Sequence, residues 1–261
     1  MSGLRLFWQG GMFTYRALFN WISPVLYTTT MLGSPLFQIL FFTYLGRTFT
    51  DRPDDFFIVG NAVQVSAMSG IYAATMTIAN ERQFGTLSPL LATPANRFLL
   101  FFGRSVPVIW NGLLVSVFGF AVGIVLLDLQ IAAANVPPLA LVLLITVASC
   151  TAFGMMLGSF GLRARDVFFA SNLVYFLMLL FCGVNVPLDE LPAWMQAVGN
   201  ALPMTHGIEA ARDVAGGRSL AGVADLVLSE AAVGAVWGAA AFLLFRFLEA
   251  EGRRRASLET F

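Results

Sequence analysis

Six long apolar runs limit what this chain can fold into. They cover residues 24–45, 56–79, 98–127, 137–160, 167–184 and 223–247, each close to or above the ~20 residues with which a helix crosses a bilayer. Backbone polar groups in lipid must be satisfied internally, which leaves only helices or closed barrels. A barrel would show short segments of alternating polarity, and the sequence has none. Charged residues make up 11% of the chain and the mean hydropathy is +0.78, against ~25% charged in soluble domains. The expected fold is all-α: one polytopic transmembrane domain over residues 1–261, with no soluble domain and no internal repeat.

The polar intervals set the expected topology. In residues 1–23, Leu4, Phe7, Trp8, Tyr15, Leu18, Phe19 and Ile22 fall on one helical face, and Arg5, Gln9, Arg16 and Asn20 on another. That pattern predicts an amphipathic helix in the interface plane, with Trp8 and Trp21 as headgroup anchors; a frayed leader is the plainer alternative. Arg16 interrupts any apolar core, so no cleavable signal peptide is expected. Gly33 and Pro35 interrupt the first run near its middle. With the N-terminus inside, eleven Arg residues fall on the inner side and four on the outer. This bias predicts a multi-pass protein of the plasma membrane with both termini cytoplasmic.

All 15 basic residues are Arg, so the chain has none of the Lys that a phosphate-binding P-loop requires. The plain reading of the Arg bias is codon usage. Formal net charge is zero, which makes no case for nucleic acid as a partner. Cys150 and Cys182 lie inside apolar runs and are expected to be free, buried thiols. A single histidine, His206, without a cluster of carboxylates or thiols predicts no metal site.

Lipid solubility does not explain residues 81–97, ERQFGTLSPLLATPANR. Glu81, Arg82 and Gln83 carry the second run into water, and Gly85 permits a turn. From Thr86 onward, Leu87, Leu90 and Leu91 recur at helical spacing until Thr93 and Pro94 stop the short helix. A two-turn amphipathic helix beside a membrane suits a groove on a soluble partner. A short loop whose leucines dip into the interface fits the same pattern.

This stretch, read as E-R-x-x-G-T-L-x-x-L-L-x-T-P-x-x-R, resembles the cytoplasmic segment of type-2 ABC transporter permeases. The stretches PLDELPAWMQ and LPMTHGIEAARD, at 187–196 and 202–213, resemble that family's extracellular re-entrant element. His206 departs from the pattern, standing where most members have an aromatic residue. With the six runs and the interfacial helix, the resemblance covers essentially the whole chain. It implies that residues 81–94 form a coupling helix, with Glu81, Arg82, Gly85, Thr86, Leu87, Leu90, Leu91, Thr93 and Pro94 seated against a separate ATP-binding subunit. It implies that residues 185–213 form two short helices dipping into the outer leaflet. Two ATP-binding subunits and a second copy of this chain or a related permease would complete the transporter. ATP and Mg would be held by the ATPase, with no cofactor or catalytic residue in this chain. The substrate implied is amphipathic: a drug, a natural product, or a lipid or lipid-linked sugar.

Polar residues inside the runs usually face a bundle interior or a cavity. Gln38, Asn61, Gln64, Asn172, Tyr175 and Met178 are the candidates for a substrate pathway; interhelical packing and hydrogen bonding are the plain alternative. Asn111, Ser66 and Ser171 share that ambiguity. Arg104, about two turns into the third run, is expected to snorkel to the inner headgroups. Glu230, inside the last run, needs a donor from the re-entrant region, such as Arg212, or a proton. Arg253, Arg254 and Arg255 read as a contact to anionic lipid. Two other classes remain as alternatives. An ion-driven transporter would show inverted repeats and broken helices at the midplane. An intramembrane enzyme would need a Ser/His pair, facing aspartates or a metal motif.

Overall fold

The computed structural model describes residues 29, 32–83, 85, 97–160 and 167–255. Helix dominates them: α1 (Gly33–Phe49), α2 (Asp54–Gln83), α3 (Arg97–Leu126), α4 (Val136–Phe160), α5 (Val167–Phe181), α6 (Ala193–Ala201), α7 (Thr205–Ala215) and α8 (Ala224–Arg255). Short 3-10 turns at Ala133–Asn135, Leu188–Glu190 and Leu220–Val223 lead into α4, α6 and α8. The expected interfacial helix over 1–23 and residues 86–94 of the hairpin lie outside the described residues.

Among the described residues, four helices are long and apolar enough to cross a membrane, within Asp54–Thr77, Phe102–Leu126, Ala133–Phe160 and Leu220–Leu248. α5 is a shorter apolar helix, and α1 has 17 residues. α1 starts where the sequence places its break. Gly33 opens the helix and Pro35 sits in its first turn, where a missing N–H costs nothing. Pro137 and Pro138 occupy the same position in α4. α3 ends where Asp128 adopts a left-handed φ of 57°, and Leu127 and Leu129 both donate to the Gly123 carbonyl. Gly183, at φ 73°, turns the chain after α5.

α2 is the axis of the bundle. Of its apolar window 78% is buried within the chain, against 11% for the last span. It packs against α1, α3, α4, α5 and α7, and α4 in turn carries α8. Glycines allow this approach, as is common where helices associate without a hydrophobic drive between them. A Cβ on Gly154 of α4 would lie 2.7 Å from the Ile71 carbonyl oxygen and 2.8 Å from Ile71 Cα. One on Gly123 of α3 would lie 2.5 Å from an Ile58 methyl. Helix-to-helix polar contacts add direction: Thr75 donates to the Gly154 carbonyl at 3.0 Å, and Asn111 to Ser69 Oγ at 2.7 Å. Cys150 and Cys182 are free and buried.

α6 and α7 form a short helical pair over one end of α2, α4, α5 and α8. An acidic and a basic side chain fix α7. The Glu230 carboxylate, 1% exposed, accepts from the backbone N–H of Met204 at 2.8 Å and of Gly207 at 3.1 Å. The segment expected to be re-entrant does supply its donors, but they are the amides opening α7 and not Arg212. A helix N-terminus presents such unpaired N–H groups to an anion. Arg212 works elsewhere. It donates to the carbonyls of Phe56 (3.0 and 3.1 Å), Gly183 (2.8 Å) and Val184 (2.7 Å), with its guanidinium 3.6 Å from the Phe56 ring centroid. Burial pushes its pKa down to about 9, against the opposing pull of Glu209, so it stays charged at neutral pH. Gly60 leaves room for this clasp, since a Cβ there would lie 2.5 Å from Arg212 Nη2.

Candidate functional site: a polar seam along α1, α2 and α5

The helical period puts Asn61, Gln64, Met68 and Tyr72 along one stripe of α2, at spacings of three, four and four. α1 brings Gln38 against the upper part of that stripe. Gln38 Nε2 donates to Asn61 Oδ1 at 3.0 Å and to Gln64 Oε1 at 2.9 Å. Tyr175 of α5 closes the group by donating its hydroxyl to Gln38 Oε1 at 2.6 Å. Asn61 Nδ2 donates to the Phe57 carbonyl at 2.9 Å and to Asn185 Oδ1, just past α5, at 2.8 Å. Asn61 and Gln64 are fully buried, while Gln38, Tyr175 and Asn185 are half-buried. Lower on α2, Tyr72 donates to Asn172 Oδ1 at 2.9 Å. From Asn61 to Tyr72 the seam runs roughly 16 Å along the helix axis.

Four of the six candidate pathway residues, Gln38, Asn61, Gln64 and Tyr175, therefore belong to one bonded cluster. Asn172 belongs to the second link. Met178 shares α5 with them but lies fully buried in the main core. Asn185 and Tyr72 are additions that the sequence pattern did not single out. Tyr72 falls on the period of α2 and could have been found from it. Asn185 stands at the edge of an apolar run, where a polar residue reads as loop. The helices flanking the seam also expose Phe37, Phe41, Leu173 and Phe176, so polar and apolar surfaces lie side by side.

The opposite end of α2 leads to the hairpin. Glu81 remains within the helix and forms an ion pair with Arg104 of α3. Arg104, expected to snorkel to lipid headgroups, thus finds a carboxylate inside the protein, because the two helices run side by side there. Arg82 and Gln83 are the last residues of α2. Gly85 follows at φ 67°, and a Cβ added there would meet nothing within 4 Å among the described residues. Thr86, Leu87, Leu90, Leu91, Thr93 and Pro94 lie outside the described residues.

Comparison with known proteins agrees with this architecture. Residues 11–215 match the family described as ABC-2 type transporter. Two curated relatives, from Escherichia coli strain K12 and Escherichia coli O157:H7, each carry the name "Probable multidrug ABC transporter permease YbhR". Each is 24% identical over 151 residues, which is 58% of this chain and 41% of the relative. The match thus spans less than half of the relatives' length. With a family match over most of its length and several membrane-crossing helices, this chain is a multi-pass membrane protein that belongs to the ABC-2 type transporter family.

Proposed function

We propose that this chain is the permease subunit of an ATP-driven exporter that moves an amphipathic substrate outward across a bacterial inner membrane. The observation that carries this reading is the continuity of α2. One unbroken helix of 30 residues, about 45 Å long, bears the polar seam and ends at the hairpin. A push on the hairpin reaches the seam without an intervening hinge. Family membership and the naming of the relatives as multidrug permeases support export; the seam, with apolar surface beside it, supports an amphipathic substrate.

In this reading ATP and Mg bind a separate ATPase subunit, two of which serve a pair of permease chains. Residues 81–94 form the coupling helix, with Leu87, Leu90 and Leu91 facing the ATPase groove and Gly85 turning the chain. Closure of the ATPases moves α2, and Gln38, Asn61, Gln64, Asn172 and Tyr175 change their exposure to substrate. Transport follows only where substrate binds one conformation better than the other. The first span completes α1 toward the N-terminus, α5 serves as the fifth, and both termini are cytoplasmic. The α6–α7 pair then lies on the outer side. The chain itself performs no covalent chemistry.

The test is co-expression of the tagged full chain with a soluble P-loop ATPase encoded beside it. The wild-type chain should retain the ATPase through purification and the complex should hydrolyse ATP. Leu90→Asp and Gly85→Pro should reduce retention at least tenfold. A wild-type chain that retains no ATPase, or variants that retain it fully, would rule out the coupling assignment.

A further inference from the structure

The hydrogen-bond inventory of the seam is unbalanced toward donors. Each side-chain amide offers two N–H hydrogens. Those of Gln38 are used within the cluster, and those of Asn61 on Asn185 and the Phe57 carbonyl. Gln64 Nε2 and Asn185 Nδ2, both buried, have no acceptor among the described residues. Turning either amide over does not help. Gln64 would then set N–H against Gln38 Nε2, and Asn185 would set N–H against Asn61 Nδ2. A buried donor without an acceptor is costly to the fold, so its persistence marks a place where an acceptor arrives from outside.

The charge around the cluster narrows what that acceptor is. Its five members are amides and a phenol, neutral at physiological pH. Arg212 stands next to the Asn185 end, bonded to the Val184 carbonyl, with its Nη2 2.5 Å from where a Cβ on Gly60 would lie. Among the described residues its guanidinium is hydrogen-bonded to carbonyl oxygens only; Glu209 acts on it through space and offsets its positive field in part, without a bonded carboxylate to cancel it. That field opposes a cation. Four of the guanidinium's five N–H hydrogens are taken by those carbonyls, which leaves little with which to hold a phosphate or carboxylate out of water.

We infer that the seam takes the uncharged oxygen acceptor of an amphipathic molecule, a ketone, ester or amide carbonyl, on Gln64 Nε2 and Asn185 Nδ2, and rejects quaternary ammonium head groups. This deepens, and rests on, the reading of the seam as the substrate pathway. It assigns to Gln64 and Asn185 the choice of substrate class.

The experiment uses the full chain in lipid nanodiscs and two probes of matched size, 2-acetylnaphthalene and trimethyl(2-naphthyl)ammonium. Binding is measured by equilibrium dialysis, with empty nanodiscs subtracted. The ketone should bind at least tenfold more tightly than the ammonium. Gln64→Leu should weaken the ketone about tenfold without admitting the ammonium. Gln64→Glu, which replaces the donor by an acceptor, should reverse the preference; Asn185→Asp provides the same reversal should Gln64→Glu fail to assemble. Equal binding, or tighter binding of the ammonium by the wild-type chain, overturns the selectivity and leaves the pathway standing. Ketone binding no greater than in empty nanodiscs, or unchanged in both Gln64 variants, overturns the pathway as well.

Discussion

Gly154 and Gly238 show how much of this protein is decided by single atoms. A methyl group on Gly154 would meet the Ile71 backbone at 2.7 and 2.8 Å, whereas on Gly238 its nearest neighbour would be 3.8 Å away. Backbone cannot swing aside as a side chain does, so Gly154→Ala must part α4 from α2. Overpacking of this kind costs about 1–3 kcal/mol. Gly154→Ala should therefore lower the thermal unfolding midpoint in detergent, while Gly238→Ala leaves it unchanged or slightly raised. The sequence displays both glycines alike, since each lies in an apolar run. Their difference arises from which helix lies opposite, and that is settled only by the packing. The seam is similar. That Asn61 and Gln64 share a stripe of α2 follows from their spacing, but that both meet Gln38 depends on the register between α1 and α2.

At the scale of elements, α7 is held at two points by hydrogen bonds made by an acidic and a basic side chain. Glu230 satisfies two of the N–H groups that open it, and Arg212 ties its last turn to the start of α2 and the end of α5. The sequence announces a buried carboxylate in need of donors and an Arg in the region able to supply them. Pairing them is the simplest solution and is not the one the fold adopts. The turn at Pro203 and Met204, with Met204 at φ 86°, aims the first amides of α7 at α8. No side-chain inventory reveals that orientation. Glu230→Ala should orphan both amides, at about 1–3 kcal/mol each. Glu230→Gln keeps one acceptor oxygen and should cost less. Hydrogen exchange in residues 204–215 checks this: faster in Glu230→Ala than in Glu230→Gln, and slowest in the native chain. Equal protection in all three would show that the carboxylate does not hold the helix.

For the whole molecule, the length and apolarity of the runs are enough by themselves to specify a helical membrane protein. Four runs appear as helices of spanning length among the described residues. Of the remaining two, the first lies partly outside the described residues, with α1 covering Gly33–Phe49, and α5 is shorter because Gly183 ends it early. Function is less legible, since spacing alone leaves the hairpin open between a docking helix and a plain loop. Its tie to the seam becomes visible only when α2 is seen to run unbroken from Asp54 to Gln83. That continuity is the physical core of the transport proposal, because it joins the place where ATPase force would enter to the place where substrate would sit.

ATP hydrolysis by the reconstituted complex, with and without the seam probe 2-acetylnaphthalene, tests this link most directly. The probe should stimulate hydrolysis in the wild-type complex by binding at the seam. Under conditions that keep the ATPase bound, Leu90→Asp should abolish the stimulation while leaving probe affinity within twofold of wild type. Full stimulation in Leu90→Asp, at unchanged probe affinity, would contradict the account, because the seam would then reach the ATPase by a route other than α2 and its hairpin.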